Sequence, residues 1–155
     1  MMAKPNYQAI IQKIAKQYGI KVLRIKRGDR YCKANGTAKY LNHSWSCGSI
    51  HCVDGSVPEV FVGLYRSAML RFVSFLHEVG HCIDFEFCNG TPLLTMEQRA
   101  WAIAWVLAEQ HDVNVTAAAK LYAAECLKTY EPRRHLNHQE SKGLHFNDDP
   151  RCVHL

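Results

Sequence analysis

A long stretch of helical pattern from about Ser67 to Phe85 constrains this chain more than any other. Met69, Phe72, Val73, Leu76, Val79 and Ile83 recur at helical spacing, so one long buried helix is expected there. Within it, "FLHEVGHCIDF" sets His77 and His81 four positions apart, with Glu78 directly after the first. A helix turns about 100° per residue, which leaves the two histidines about 40° apart on one face, one turn apart. Two imidazoles so placed converge on one ion at zinc–nitrogen distances of about 2.0–2.1 Å. Glu78 is rotated off that face, where a carboxylate serves as a general base toward water. Burying two histidines and a glutamate in an apolar helix is costly without such a purpose. Gly80, expected opposite the metal face, permits close packing.

A catalytic zinc site takes three protein ligands and keeps one position open. Glu97 is the first choice for the third. It lies in the first turn of the next helix, "MEQRAWAIAWVLAEQH", after a loop long enough to return the chain to the site. Ala100, Ala104 and Ala108 form a small-residue stripe that lets this helix approach the first. The plainer reading of Glu97 is an acid at the positive end of its helix dipole. Asp84 continues the histidine stripe, about 20° from His77 around the helix. It suits a hydrogen-bonded partner of a ligand histidine better than a ligand. His111, at the end of the third helix, is the other third-ligand candidate.

The remaining pattern reads as α+β. Asn6 opens a helix with Ile10, Ile11 and Ile14 on one face and Gly19 as its stop. "KVLRI" reads as a strand, and "TAKYL", "GSIHCV" and "EVFVGLY" as short extended segments. Asp54-Gly55 suggests a hairpin-like reversal that Pro58 limits. Thr95 is expected to cap the third helix and Thr116 a fourth, which Pro132 ends. Residues 1–132 are expected to form one domain, with a basic N-terminal segment 1–40; residues 133–155 read as a polar, histidine-rich tail.

Charge is spread unevenly. Up to Tyr40 there are ten Lys or Arg against one acid, +9; the remainder has nine bases and thirteen acids, −4. The basic segment is a candidate DNA or acidic-protein contact, with Lys21, Arg24, Lys26 and Arg27 foremost, or else a solvated face. No stretch reaches the roughly 20 apolar residues that span a bilayer, and "MMAKPNYQAI" lacks a secretory apolar core, so a cytoplasmic location is expected. The seven cysteines are odd in number and lack CxxC spacing, so no disulfide is assigned; Cys82 and Cys88 read as small core residues. Trp101 and Trp105 read as core, and the tail histidines His135, His138, His145 and His154 as solvated. No phosphate-binding glycine loop and no nucleophile elbow is present.

"LHEVGH" followed by "EQRAWAIAWVLA" resembles the zincin metallopeptidases of gluzincin type, and among them the ImmA/IrrE group of bacterial and phage metallopeptidases. The resemblance covers about Gly48 to Ala108, and HEVGH is its specific part. It implies a small zincin-like domain, a short sheet packed on the HExxH helix, and zinc-dependent peptide-bond hydrolysis in the cytoplasm, often on a DNA-binding repressor. His77 and His81 match the group's ligands, Glu78 its base and Glu97 its third ligand. The group commonly has a second glutamate directly before its alanine, where this chain has Arg99.

The expected function is therefore a zinc endopeptidase with one zinc ion per chain and a protein or peptide substrate. "EVFVGLY", as an edge strand, would align that substrate by β-augmentation. Arg99, His111 and Tyr122 are candidates to stabilise the oxyanion. The alternative is a zincin-fold binding module for DNA or a protein partner without proteolytic activity. A third reading is a structural metal whose fourth position is closed by Asp84 or a cysteine.

Overall fold

The computed structural model describes residues 5–24, 31–32, 38–39, 44–47, 55–65, 67–85, 90–133 and 136. Helix α1 (Tyr7–Tyr18) starts where the Asn6 side chain accepts the Ala9 N–H at 3.1 Å. It ends at Gly19, whose φ of 64° would strain a side chain. That turn lets Ile20 N–H reach the Ala15 carbonyl at 2.9 Å and Gly19 N–H the Lys16 carbonyl, which closes the helix end and drops Ile20 into the core.

The chain then enters β1 (Lys21–Arg24), β2 (Tyr31–Cys32), β3 (Ala38–Lys39), β4 (Trp45–Cys47) and β5 (Glu59–Val62). Strands β1, β5 and β4 form a sheet in that order, with β1 parallel and β4 antiparallel to β5. β2 and β3 make a separate antiparallel ladder. The reversal foreseen at Asp54-Gly55 lies in the β4–β5 connection, where Gly55 takes a φ of 69°. "GSIHCV" falls outside the described residues, and the strand that pairs antiparallel with β5 lies upstream of it. The edge position foreseen for "EVFVGLY" is overturned. β5 is hydrogen-bonded on both sides, so it has no edge to offer a peptide.

Three longer helices follow: α2 (Ala68–Ile83), α3 (Leu93–Gln110) and α4 (Ala117–Lys128), then a 3-10 turn (Glu131–Arg133) that contains Pro132. The element set is α+β. Ser67 caps α2 through Leu70 N–H at 3.3 Å, and Thr116 caps α4 through Ala119 N–H at 3.3 Å. Thr95 does not cap α3. The helix starts two residues earlier, where Pro92 fixes the entering φ at −56° and Leu93 N–H bonds the Leu136 carbonyl at 2.8 Å.

α2 is the centre of the molecule. Every residue from Phe72 to Gly80 is buried, because the sheet, α1 and α3 cover it from different sides. Val60 and Val62 of β5 alternate inward beside Phe72, Val73, Phe75, Leu76 and Val79, all of them core. Cys82 and Cys126 are buried thiols outside any disulfide, and Cys88 lies outside the described residues. Among the described residues no helix is long and apolar enough to cross a membrane.

Candidate metal centre

The last two turns of α2 carry its two histidines and its one acid, after Arg71 and Ser74 earlier in the helix. His77, Glu78 and the C-cap Asp84 are buried, and His81 is partly exposed. α3 lies against this stretch and brings Glu97 to it from its first turns. His77 Nε2 is 3.1 Å from Glu97 Oε2, His81 Nε2 is 3.5 Å from Glu97 Oε1, and the two Nε2 atoms are 3.1 Å apart. Each of the three side chains offers a donor atom, and these atoms all lie within 4.8 Å of one another.

The packing that permits this is specific. A Cβ built on Gly80 would stand 2.5 Å from the Ala100 carbonyl oxygen and 2.9 Å from its Cα. Gly80 therefore faces α3 beside the histidine–glutamate cluster, not opposite it as expected; three positions after His77, it lies only about 60° from it around the helix. Ala100, Ala104 and Ala108 are all buried along α3, so small residues on both helices bring the backbones together.

The electrostatics follow from that proximity. Burial pushes the His81 imidazole toward its neutral form. The Glu97 charge and hydrogen bond, aided by the charges of Glu78 and Asp84, override burial and raise its pKa to about 9. Burial alone would raise the Glu97 carboxyl, but the charges and hydrogen bonds of His81 and His77 hold it well below the ordinary range. A carboxylate facing two imidazoles can hold a positive charge, whether a proton or a metal. The His81 side chain keeps 21% of its surface exposed against 10% for His77 and Glu97, so the cluster is open on the His81 side.

Glu78 stands apart from the three donors. Its Oε2 accepts a hydrogen bond from Ser46 Oγ at 3.0 Å, which ties the carboxylate to β4. Nothing in the sequence marks Ser46, since a short polar residue in a three-residue strand carries no periodic or motif signal.

Asp84 and Arg99 answer each other. Arg99 Nε donates to Asp84 Oδ2 at 2.9 Å, and its Nη2 to Oδ1, forming a fork from α3 to the end of α2. The hydrogen-bonded partnership foreseen between Asp84 and a ligand histidine does not reach His77, whose Nδ1 is buried without a partner. Asp84 acts on His81 through its charge. Arg99 is thereby committed to Asp84, and Glu97, not position 99, supplies the carboxylate on the histidines.

His111 is excluded by distance. It caps the far end of α3, about 21 Å along the axis from Glu97. Burial and the Lys13 charge both lower its pKa there. Among the described residues, Tyr122 is linked to the centre through Trp101. The Trp101 ring stacks on His77 at 4.3 Å and meets Tyr122 edge-on at 6.3 Å. Trp101 also stacks on Trp105 at 5.1 Å, so it is both core, as its spacing suggests, and a wall of the site. The Tyr122 hydroxyl lies 3.4 Å from that of Tyr65, which accepts Ser74 Oγ at 2.8 Å and Ser44 N–H at 3.3 Å. Burial, with Tyr65 and Cys126 beside it, pushes the Tyr122 phenol far above its ordinary pKa, so it stays protonated.

Comparison of the chain with protein-family models, with curated proteins and with solved structures returned no match.

Proposed function

We propose that this chain is a zinc-dependent metallopeptidase with a zincin-like domain, and that His77, His81 and Glu97 hold the metal. The donor geometry carries this reading. Ligands around a tetrahedral zinc at about 2.0–2.1 Å stand about 3.3 Å from one another. The two Nε2 atoms stand 3.1 Å apart here, and each lies 3.1–3.5 Å from one of the two Glu97 carboxylate oxygens. Two imidazoles and a carboxylate also match the donor chemistry of catalytic zinc, in which a fourth position stays open. The exposed flank of His81 is where a substrate would approach.

A zinc ion held there supplies a Lewis acid that polarises a peptide carbonyl and makes water easier to deprotonate. The chain's own groups do the rest. Glu78, beside the cluster but outside it, accepts the proton from the attacking water and returns it to the leaving amine. Ser46 fixes one oxygen of that carboxylate and so sets the direction of the other. Trp101 braces the His77 ring from its face. β4, hydrogen-bonded to β5 on one side and carrying Ser46, is the strand beside the centre on which an extended peptide would be aligned.

The test is metal analysis paired with proteolysis. Wild-type protein should hold one zinc per chain, and His77→Ala, His81→Ala and Glu97→Ala should each lose it, whereas His111→Ala should not. Retention of zinc by Glu97→Ala would remove the proposed ligand set. Zinc-loaded wild type that cuts no candidate substrate would favour a binding module on the same fold. In the basic segment foreseen as a DNA contact, Arg24 is exposed. Lys21 is paired with Glu59 at 2.7 Å, and Lys26 and Arg27 lie outside the described residues.

A further inference from the structure

A second polar feature lies at the other end of α2. β1 and β5 are parallel, so their carboxyl ends, Arg24 and Val62, lie side by side. α1 runs back along β1 through the Gly19 turn, and α2 starts shortly after β5, so both helix starts meet at this same end of the sheet. Crevices at the carboxyl ends of parallel strands are common ligand sites. Here that end holds a cavity of about 380 Å³, within the range of small-molecule sites.

Arg24 and Arg71 both line it, together with Asn6, Tyr7 and Gln8 of the α1 start and Ala68 of the α2 start. No acid is among its described lining residues, and neither α1 nor α2 has an acid in its first turn. Arg71 is held in place by a 2.8 Å bond from its Nη2 to the Tyr65 carbonyl, which uses one of the five guanidinium N–H donors. Among the described residues neither arginine has a carboxylate partner. Lys21, three positions from Arg24, shows the contrast, since Glu59 already answers it. Tyr7 stacks on Phe72 at 5.0 Å, which gives the cavity a fixed aromatic wall.

We infer that this cavity is a phosphate site, in which Arg24 and Arg71 grip the dianion of inorganic phosphate or a phosphomonoester. Two arginines lining one concave space suit a phosphate, because each guanidinium offers parallel N–H donors to two oxygens. The exposed N–H groups of the adjoining helix starts add to the positive potential. A bare phosphate does not fill the cavity, so there is room for the group that carries it. The site lies about 14 Å along α2 from His77, counted from Ala68, and shares no residue with the metal centre.

The experiment uses the full chain and no protease assay. Inorganic phosphate is titrated at constant ionic strength, with chloride as control, while the backbone amide shifts are followed. Saturable shifts confined to Tyr7, Gln8, Arg24 and the first turn of α2 are expected. Arg24→Gln and Arg71→Gln should each weaken binding about tenfold or more, as loss of a charge-assisted contact does. Arg24→Lys should retain part of it. Since Arg24 is exposed, Arg24→Glu should fold normally and abolish binding, which guards against a folding defect in the Arg71 variant. Zinc content should be unchanged throughout, so failure here is separable from failure of the metal centre. A short DNA duplex is the second arm. If it produces the same shifts, loses them in the same variants and is displaced by phosphate, the ligand is nucleic-acid backbone and the small-ligand source is overturned. Absence of saturable phosphate binding at tens of millimolar, or equal binding by wild type and both Gln variants, overturns the site itself.

Discussion

Gly80 and Ala100 touch backbone to backbone: a Cβ at position 80 would stand 2.5 Å from the Ala100 carbonyl oxygen. Ala100 lies one turn after Glu97 on α3, so the same contact sets how far the Glu97 carboxylate reaches toward the histidines. The obstacle is backbone, not the flexible end of a side chain, so α3 as a whole must shift to admit a methyl group.

Gly80→Ala should therefore destabilise the protein although alanine is the better helix former. Overpacking costs about 1–3 kcal/mol, against a propensity gain of about 0.5–1 kcal/mol. Thermal melts should show a net loss of about 1–2 kcal/mol at neutral pH. Zinc affinity should fall as well, because Glu97 moves with Ala100. Wild-type melting together with wild-type zinc retention would show that the helices are not held at this distance.

Protons and metal compete for the same three side chains. In the metal-free protein the His81 pKa is raised to about 9, so its favourable pairing with Glu97 is fully present below about 6.5 and is lost as pH rises through about 9. The Glu97 pKa is lowered, so its contribution is present above about 4.5 and is lost as pH falls below that value. Chelator-treated protein should be most stable between these limits and weaken toward pH 9. Zinc must displace the His81 proton, so binding at pH 7 should release about one proton from the site and weaken about tenfold per unit of acidification. Calorimetry in buffers of different ionisation enthalpy measures the proton count. Zinc affinity that is flat from pH 6 to 8 would contradict the pairing.

The histidine pair was legible in the sequence because helical geometry alone fixes it: positions four apart share a face whatever the rest of the chain does. Glu97 was legible for a related reason, since a three-ligand requirement and a small-residue stripe on the next helix narrowed the choice. Ser46 was not, because its partner Glu78 is reached across the sheet and no local pattern encodes that register. The same limit applies to β5. Its apolar alternation identified a strand but not whether neighbours lie on one side or both, and it proved central. Thr95 was misplaced because a proline and a distant carbonyl, at Leu136, start α3 without a side-chain cap. Asp84 lay on the expected stripe, yet the stripe could not reveal that Arg99 would meet it.

The Asp84–Arg99 fork predicts a separation of stability from metal binding. Asp84→Asn keeps the shape but weakens a charged hydrogen-bonded contact between α2 and α3, and should cost about 1.5–3 kcal/mol by denaturant unfolding. Zinc should remain at one per chain, because the carboxylate is held by Arg99 and not by the ligand cluster. Loss of zinc stoichiometry in Asp84→Asn, with the fold intact, would make Asp84 a ligand and revive the closed, structural site.

Glu78 decides whether the centre does chemistry. Glu78→Gln is nearly isosteric and removes only the basic oxygen, and because Glu78 is not among the three converging donors, zinc should stay. General base catalysis contributes about 10²–10⁴-fold, and here one carboxylate both takes and returns the proton, so proteolysis should fall by an amount at or above the top of that range. Were Glu78 only a structural partner of Ser46, the change would alter a single hydrogen bond worth about 0.5–1.5 kcal/mol and leave turnover nearly intact. Ser46→Ala supplies the intermediate case, since it frees the carboxylate without removing it. Its rate should fall by less than that of Glu78→Gln, with Ser46→Thr recovering part of the loss. Cleavage of a candidate substrate by all four proteins at matched zinc occupancy gives the ordering. A Glu78→Gln variant that cuts as fast as wild type takes Glu78 out of the mechanism, and with it the reason for a carboxylate buried beside the two histidines.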